Sequence, residues 1–162
     1  MRLLPALIAL AALATLASAP AARADAAAPD LAFGDFFARP IGPRGLEPTP
    51  QLLAAQGRTV RLVGYMVQRE QPLPGSFLFA PRPVSMAEHA DGEADDLPAT
   101  TVTVLLPEAL RSSLVAYRPG ALALTGRLHY GRAVDDAGRV SWLRLELEPE
   151  GLAPVPSSSS SH

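Results

Sequence analysis

The chain has 162 residues, which is enough for one ordinary domain and too few for two comfortable ones. It carries 14 basic and 16 acidic residues, a formal net charge of −2, which argues against a nucleic-acid or anionic-membrane partner because both need basic surface. It contains no cysteine, which excludes disulfides, thiolate nucleophiles and cysteine-based metal sites. Its stability must therefore come from an apolar core.

Residues 1–24 have the pattern of a secretory signal peptide. Arg2 gives a positive start, an uncharged apolar run follows to Ala19, and Ala22-Arg23-Ala24 is the small-x-small pattern that signal peptidases accept. The apolar run is short for a membrane span. We therefore expect cleavage after Ala24, export to the periplasm, and no membrane insertion of the mature part.

An N-terminal extension follows at residues 25–57. Residues 31–46 hold three phenylalanines among glycines and prolines, which forbid a long helix, so the rings are expected to pack onto the domain. Residues 49–57 carry helix punctuation, with Thr49 as the N-terminal cap and Gly57 at the end. One short helix is therefore predicted in this extension.

The rest of the chain alternates apolar and polar residues with a period of two, which predicts β-strands. The predicted strands are 58–67, 76–80, 100–106, 121–130 and 140–148. Between the third and fourth strands, Leu110 and Leu114 lie one helical turn apart within 107–117, which predicts a short helix. Asp135 to Gly138 form a hairpin turn signal before the fifth strand.

Five strands with a helix between the third and fourth is the order of the OB-fold, a small Greek-key barrel. Gly64 and Gly126 suit a tightly curved barrel wall, which needs backbone without a Cβ at its bends. We therefore predict a mainly β protein with an OB-like barrel at 58–149, followed by a disordered Pro/Ser tail at 150–162. A small open sandwich is the competing architecture.

The segments "GRTVRLVGYMV", "FLFAP", "ADDLP", "VTVLLP" and "ALTGRL" together resemble a group of exported bacterial proteins with OB-like domains. The likeness covers about residues 46–148. Several such proteins are encoded beside ABC-type transporters, some in metal-responsive gene sets. The resemblance implies a periplasmic accessory protein with a transporter component as a protein partner, and it does not imply an enzyme. Some relatives carry cysteines in a variable loop, where this chain has none.

That loop is the first candidate site, because it concentrates acidic residues around one histidine. The candidate binding residues are Glu88, His89, Asp91, Glu93, Asp95 and Asp96. His89, Glu88 and Asp91 offer the nitrogen and oxygen donors that a zinc-type divalent ion needs, although neither an EF-hand nor an HExxH pattern is present. The favoured interpretation is a solvated acidic loop without a cofactor; a divalent-metal site and a partner-binding site are the alternatives.

A second candidate surface is the outward face of the predicted barrel. Its residues are Arg61, Tyr65, Arg127, Trp142 and Arg144. OB-folds use such aromatic and basic faces to bind ligands. The alternative, which we favour, is that the segment Phe33–Phe37 covers Tyr65 and Trp142 while the arginines pair with acids at the rim.

Catalytic patterns are weak. His129 is predicted to face outward, where it could pair with Asp135, and Ser85 lies near His89 without a G-x-S-x-G elbow. The sequence therefore predicts an exported, non-enzymatic binding or accessory module, with loop 85–98 as its contact region. A metal-binding chaperone or sensor that uses loop 85–98 is the first alternative, and a hydrolase is the second.

Overall fold

The computed structural model describes residues 27–86 and 97–155, together with the backbone of two short strands at 88–89 and 92–93. Within these ranges it is mainly β with a single α-helix, α1 (Pro50–Ala55). The strands are β1 (Thr59–Met66), β2 (Gln68–Arg69), β3 (Ser76–Ala80), β4 (Ser85–Met86), β5 (Glu88–His89), β6 (Gly92–Glu93), β7 (Val102–Leu105), β8 (Ala121–Val134) and β9 (Val140–Pro154).

Five strands form a closed ring in the order β1-β3-β7-β9-β8, and β8 pairs back onto β1. All neighbours are antiparallel except β7 and β9, which run parallel. These are the five strands that the period-two pattern predicts, and the mainly β prediction is confirmed. The remaining strands pair outside the ring, β2 with β4 and β5 with β6.

Alternate residues of the five ring strands fill the interior, as the sequence pattern requires. The buried inward side chains are Val60, Leu62, Met66, Phe77, Phe79, Val102, Val104, Leu122, Leu124, Leu128, Leu143 and Leu145. Each large apolar side chain buried in this way stabilises the fold by about 1.5–3 kcal/mol. No polar or charged side chain is buried among the described residues, so the core is purely apolar.

The N-terminal segment completes this core. The ring centroid of Phe33 lies 5.4 Å from that of Phe36 and 5.7 Å from that of Phe79, and both Phe33 and Phe36 are buried. The backbone just before them adds to the edge of β1, where the Leu31 amide donates to the Arg61 carbonyl at 2.9 Å. The phenylalanines therefore belong to the ring's interior.

Helix α1 is confirmed. The Thr49 hydroxyl accepts from the Leu52 amide at 3.1 Å, and Leu52 and Ala55 are buried against the ring. In the described parts of the chain, no helix has the length and apolarity needed to span a membrane.

The helix predicted at 107–117 is wrong. Only Glu108–Leu110 form a single 3-10 turn, and Leu110 and Leu114 are 45% and 61% exposed. A short helix with one apolar face is stable when that face packs against another surface. Here the two leucines are exposed and have no such surface to pack against. The Ser113 carbonyl instead accepts from the Gly75 amide at 2.9 Å, which ties the segment to the start of β3.

The last two strands are longer than predicted. Both extend past the ring as a projecting ribbon, and the predicted turn at its tip is confirmed by the bond from the Gly138 amide to the Asp135 carbonyl at 2.9 Å. Residues 150–154, expected in the tail, belong to β9, where Leu152 pairs with Leu124. The rest of the predicted tail, 156–162, lies outside the described residues.

Replacement of Gly64 by alanine should destabilise the fold. A Cβ at Gly64 would lie 2.6 Å from the Ala80 carbonyl oxygen and 2.7 Å from Phe33 Cε2, so backbone and ring must shift. We expect a loss of about 1–3 kcal/mol in the free energy of unfolding, measured by urea denaturation. Gly34→Ala is the matched control, since a Cβ there meets nothing within 4 Å. Equal unfolding midpoints for the two variants would contradict this packing.

Candidate functional site

The side chains of the acidic loop lie outside the described residues. The structure gives only the backbone of Glu88–His89, paired antiparallel with Gly92–Glu93. Asp91, Asp95 and Asp96 fall in the undescribed part. The metal and partner sites proposed for this loop therefore stay predictions. In the described ranges, no group of three or more histidine, aspartate and glutamate side chains is arranged to hold a metal ion.

The outward residues of the second candidate surface do not come together in one patch. Tyr65 pairs with Ala121 at the start of β8, whereas Trp142 lies on the projecting ribbon, between the register pairs Tyr130–Leu143 and Ala133–Ser141. Trp142 is 56% exposed, so the expectation that Phe33–Phe37 cover it is wrong. Phe33 and Phe36 instead pack inside the ring. Gly64, which has no side chain, leaves the space that the Phe33 ring occupies.

The predicted arginine pairing holds for one residue of this surface. Arg61 Nη1 lies 2.8 Å from Asp30 Oδ1, which ties β1 to the N-terminal segment. Arg127 is exposed and stands in register with Thr59 on one side and Glu146 on the other.

A groove with a volume of about 780 Å³ lies across the outer face of β3, β7 and β9. One wall is formed by residues 72–78 with parts of 111–117, and the other by the ribbon residues around its turn. Its floor includes Thr103 and Leu105 of β7 and Arg144 of β9. The groove therefore runs between the β1–β3 connection and the β8–β9 turn.

The ribbon wall is held in place by Arg144. Its Nη1 donates to the Gly131 carbonyl at 2.7 Å and to the Ser141 carbonyl at 3.0 Å. Gly131 has a φ of +124°, a conformation that favours glycine, and it lies in a register shift of β8 between Tyr130 and Ala133. One arginine thus clamps both arms of the ribbon at this irregularity.

The turn of the ribbon is fixed by a second arginine. Arg139 Nε lies 2.6 Å from Asp135 Oδ2, and its backbone amide donates to Oδ1 at 2.9 Å. These hydrogen bonds, first that of the Arg139 backbone and then that of its side chain, lower the pKa of Asp135 below its ordinary value. Asp135 therefore holds its charge while serving as a structural acceptor.

Arginines are the basic residues of the groove. Four line it, Arg69, Arg111, Arg139 and Arg144, beside Asp135 and Asp136. Arg139 is paired with Asp135, and Arg111 Nε lies 3.0 Å from Glu108 Oε2, so these two charges are balanced within the protein. Arg144 forms no ion pair among the described residues and favours a ligand that carries negative charge. Tyr117, Leu78 and Leu105 add apolar surface beside these charges.

His129 does not pair with Asp135, so that expectation is wrong. Its Nε2 lies 3.5 Å from Glu146 Oε2, on the neighbouring strand β9, within ion-pair distance but without a hydrogen bond. Asp135 is occupied by Arg139 at the tip of the ribbon. A lone histidine–glutamate pair on an outer strand face is a packing feature unless a nucleophile completes it.

Sequence reasoning named Arg144 but missed the rest of the groove. Its walls come from segments that read as ordinary turns, the "QPLPG" stretch and the Asp135–Gly138 turn. A usable signal was the predicted OB-like strand order, because proteins of that fold bind ligands between the loops that join their first two and last two strands.

The fold resembles that of one solved structure, a DUF3299 family protein from Pseudomonas aeruginosa PAO1, a family of unknown function. The superposition has a TM-score of 0.50 at 13% sequence identity and covers 81% of this chain and 98% of that chain. At this identity the likeness concerns the fold alone. No protein-family model matches the chain, and no curated protein matches it.

Arg139→Gln should raise the pKa of Asp135 part of the way to its ordinary value. The guanidinium bond is lost, whereas the larger contribution, from the residue 139 backbone amide, remains. Because the folded-state pKa is depressed, the stabilisation by this charge is present above about pH 4 and is lost as the pH falls through the folded-state value. NMR titration of the carboxyl carbon measures the shift. Arg132→Gln on the same ribbon is the control, and an equal Asp135 pKa in both variants would refute the assignment.

Proposed function

We propose that this chain is an exported, non-enzymatic binding module whose ligand lies in the groove across β3, β7 and β9. The observation that carries the proposal is the groove's position. It lies over the second and third ring strands, between the β1–β3 connection and the β8–β9 turn. In OB-folds this is the face that binds oligonucleotides and oligosaccharides.

The assignment as OB-like is supported by the order of the ring strands. If the five ring strands are numbered along the chain, their order around the ring is first, second, third, fifth and fourth. The third and fifth strands pair in parallel. The chain that joins the third and fourth strands carries only a 3-10 turn, which leaves the groove wall at 111–117 irregular.

Export and the accessory role rest on the sequence. The pattern of residues 1–24 supports a cleaved signal peptide and periplasmic location, and the resemblance to exported OB-like proteins encoded near transporters supports a transporter component as partner. The acidic chain as a whole argues against nucleic acid as the ligand.

Photo-crosslinking tests the proposed site. We expect a photoreactive amino acid at Leu105, on the groove floor, to form a specific adduct in the intact host cell envelope, resolved by mass spectrometry. The same amino acid at Val63 is the control, because Val63 is exposed on β1 and does not line the groove. Identical adduct patterns at both positions, or an adduct at neither, would remove the groove as the binding site.

The metal alternative rests on loop 85–98 and has its own test. If His89, Glu88 and Asp91 hold a divalent ion, calorimetric titration of Zn²⁺ should show one saturable site that weakens at least about tenfold in His89→Ala, since one nitrogen ligand is lost. His129→Ala is the control, because that histidine lies on the ring strand β8. Absence of saturable binding would leave the loop without a metal role.

A further inference from the structure

Arg144 offers a preorganised anion site at the groove floor. Its Nη1 makes the two carbonyl bonds that clamp the ribbon and lies 3.4 Å from Ser141 Oγ. Among the described residues its guanidinium forms no ion pair, and its Nε and Nη2 make no hydrogen bond. A planar guanidinium fixed on one side is well placed to bind a carboxylate through two parallel bonds on the other.

The ribbon also leaves one strand edge unpaired beside this arginine. β7 pairs with β9 only from Arg144 to Glu146, so Val140–Leu143 lack a neighbour on that side among the described residues. The chain that enters β7 turns at Pro98 and packs Leu97 on the β3 side, away from this edge.

The hydrogen-bond pattern of the ribbon identifies which groups face this edge. The Asp135 amide donates to the Arg139 carbonyl at 3.0 Å, and Ala133 pairs with Ser141 two residues further on. Antiparallel pairs alternate, so Ser141 directs its amide and carbonyl to β8, whereas Val140 and Trp142 direct theirs to the open edge. This edge lies beside the groove, because Arg139, Ser141 and Arg144 line the groove together with Thr103 and Leu105 of the next strand on that side, β7.

We propose that the ligand is an extended acidic segment of a partner protein, which adds as a strand along Val140–Trp142 and places one carboxylate on Nε and Nη2 of Arg144. The inference rests on the proposed function and names its ligand class. Backbone pairing to a free edge gives affinity, and side-chain pockets give specificity. The apolar side chains of Leu78 in the wall and Leu105 in the floor suit the intervening side chains, and the guanidinium of Arg144, which has no ion pair among the described residues, suits the acidic one.

Selection from a phage-displayed library of random peptides tests this inference on the purified protein. We expect enrichment of peptides that carry aspartate or glutamate at one fixed position among β-branched residues. Arg144→Gln should weaken a selected peptide at least about tenfold and Arg144→Lys nearly as much, because lysine lacks the planar fork. Arg127→Gln is the matched control, since that exposed arginine lies outside the groove. Circular dichroism checks that each variant is folded.

A second pair of variants separates strand addition from simple surface binding. Val140→Pro removes an amide that faces the open edge and spares the bonds to β8, whereas Val140→Ala keeps the amide. We expect at least about a tenfold loss for the proline variant and little change for alanine, because a strand-adding peptide needs that donor. Equal affinity in the two variants overturns strand addition.

The remaining outcomes also decide the question. Selected peptides without acidic residues, peptides indifferent to Arg144→Gln, or no enrichment at all would overturn the inference. If the Leu105 crosslink nevertheless yields an adduct, the groove stands as the binding site and only the ligand class is wrong; a glycan or nucleic-acid adduct identifies the right one. If the Leu105 crosslink also fails, the proposed function falls with it.

Discussion

The close approach of backbones at Gly64 and Gly126 is the constraint on which the rest of the structure depends. At both positions a Cβ would meet the carbonyl oxygen of a neighbouring strand, at Ala80 and at Glu146. Without that approach, short strands would not curve enough to close around a core of leucine, valine and phenylalanine side chains. Closure of the ring pairs the backbone groups along the strand edges. It also leaves an apolar interior large enough to hold Phe33 and Phe36 of the N-terminal segment.

The groove forms because two strands, β8 and β9, extend beyond the ring. β8 and β9 continue together beyond the last contact with β1 and β7, and a two-stranded ribbon of this length twists strongly. The clamp of Arg144 onto Gly131 and Ser141 and the Asp135–Arg139 pair at the tip fix that ribbon as a wall. The same arginine that positions the wall presents its remaining donors to the groove, so the architecture and the proposed binding chemistry share one side chain.

The parts of the fold that the sequence predicted are those determined by local pattern. Alternation placed the five ring strands and their inward residues, and Thr49 with Gly57 bounded the helix α1. The sequence prediction failed where local pattern and tertiary contact disagree. Leu110 and Leu114 have helical spacing, yet the segment is tied to Gly75 and has no apolar partner. Residues 150–154 have the composition of a tail, yet they pair with the start of β8.

The sequence by itself determined an acidic, cysteine-free chain with a secretory signal pattern, alternating apolar and polar residues in the strands, and glycines at close backbone approaches such as Gly64 and Gly126. These properties belong to single residues and their near neighbours. Tertiary structure alone decided that the phenylalanines enter the ring, that Trp142 stays exposed and that Arg144 stands without a carboxylate beside a free strand edge in the described structure. Those features arise from contacts between residues far apart in the chain, such as Gly131 with Arg144 and Phe33 with Phe79, and no local spacing encodes them.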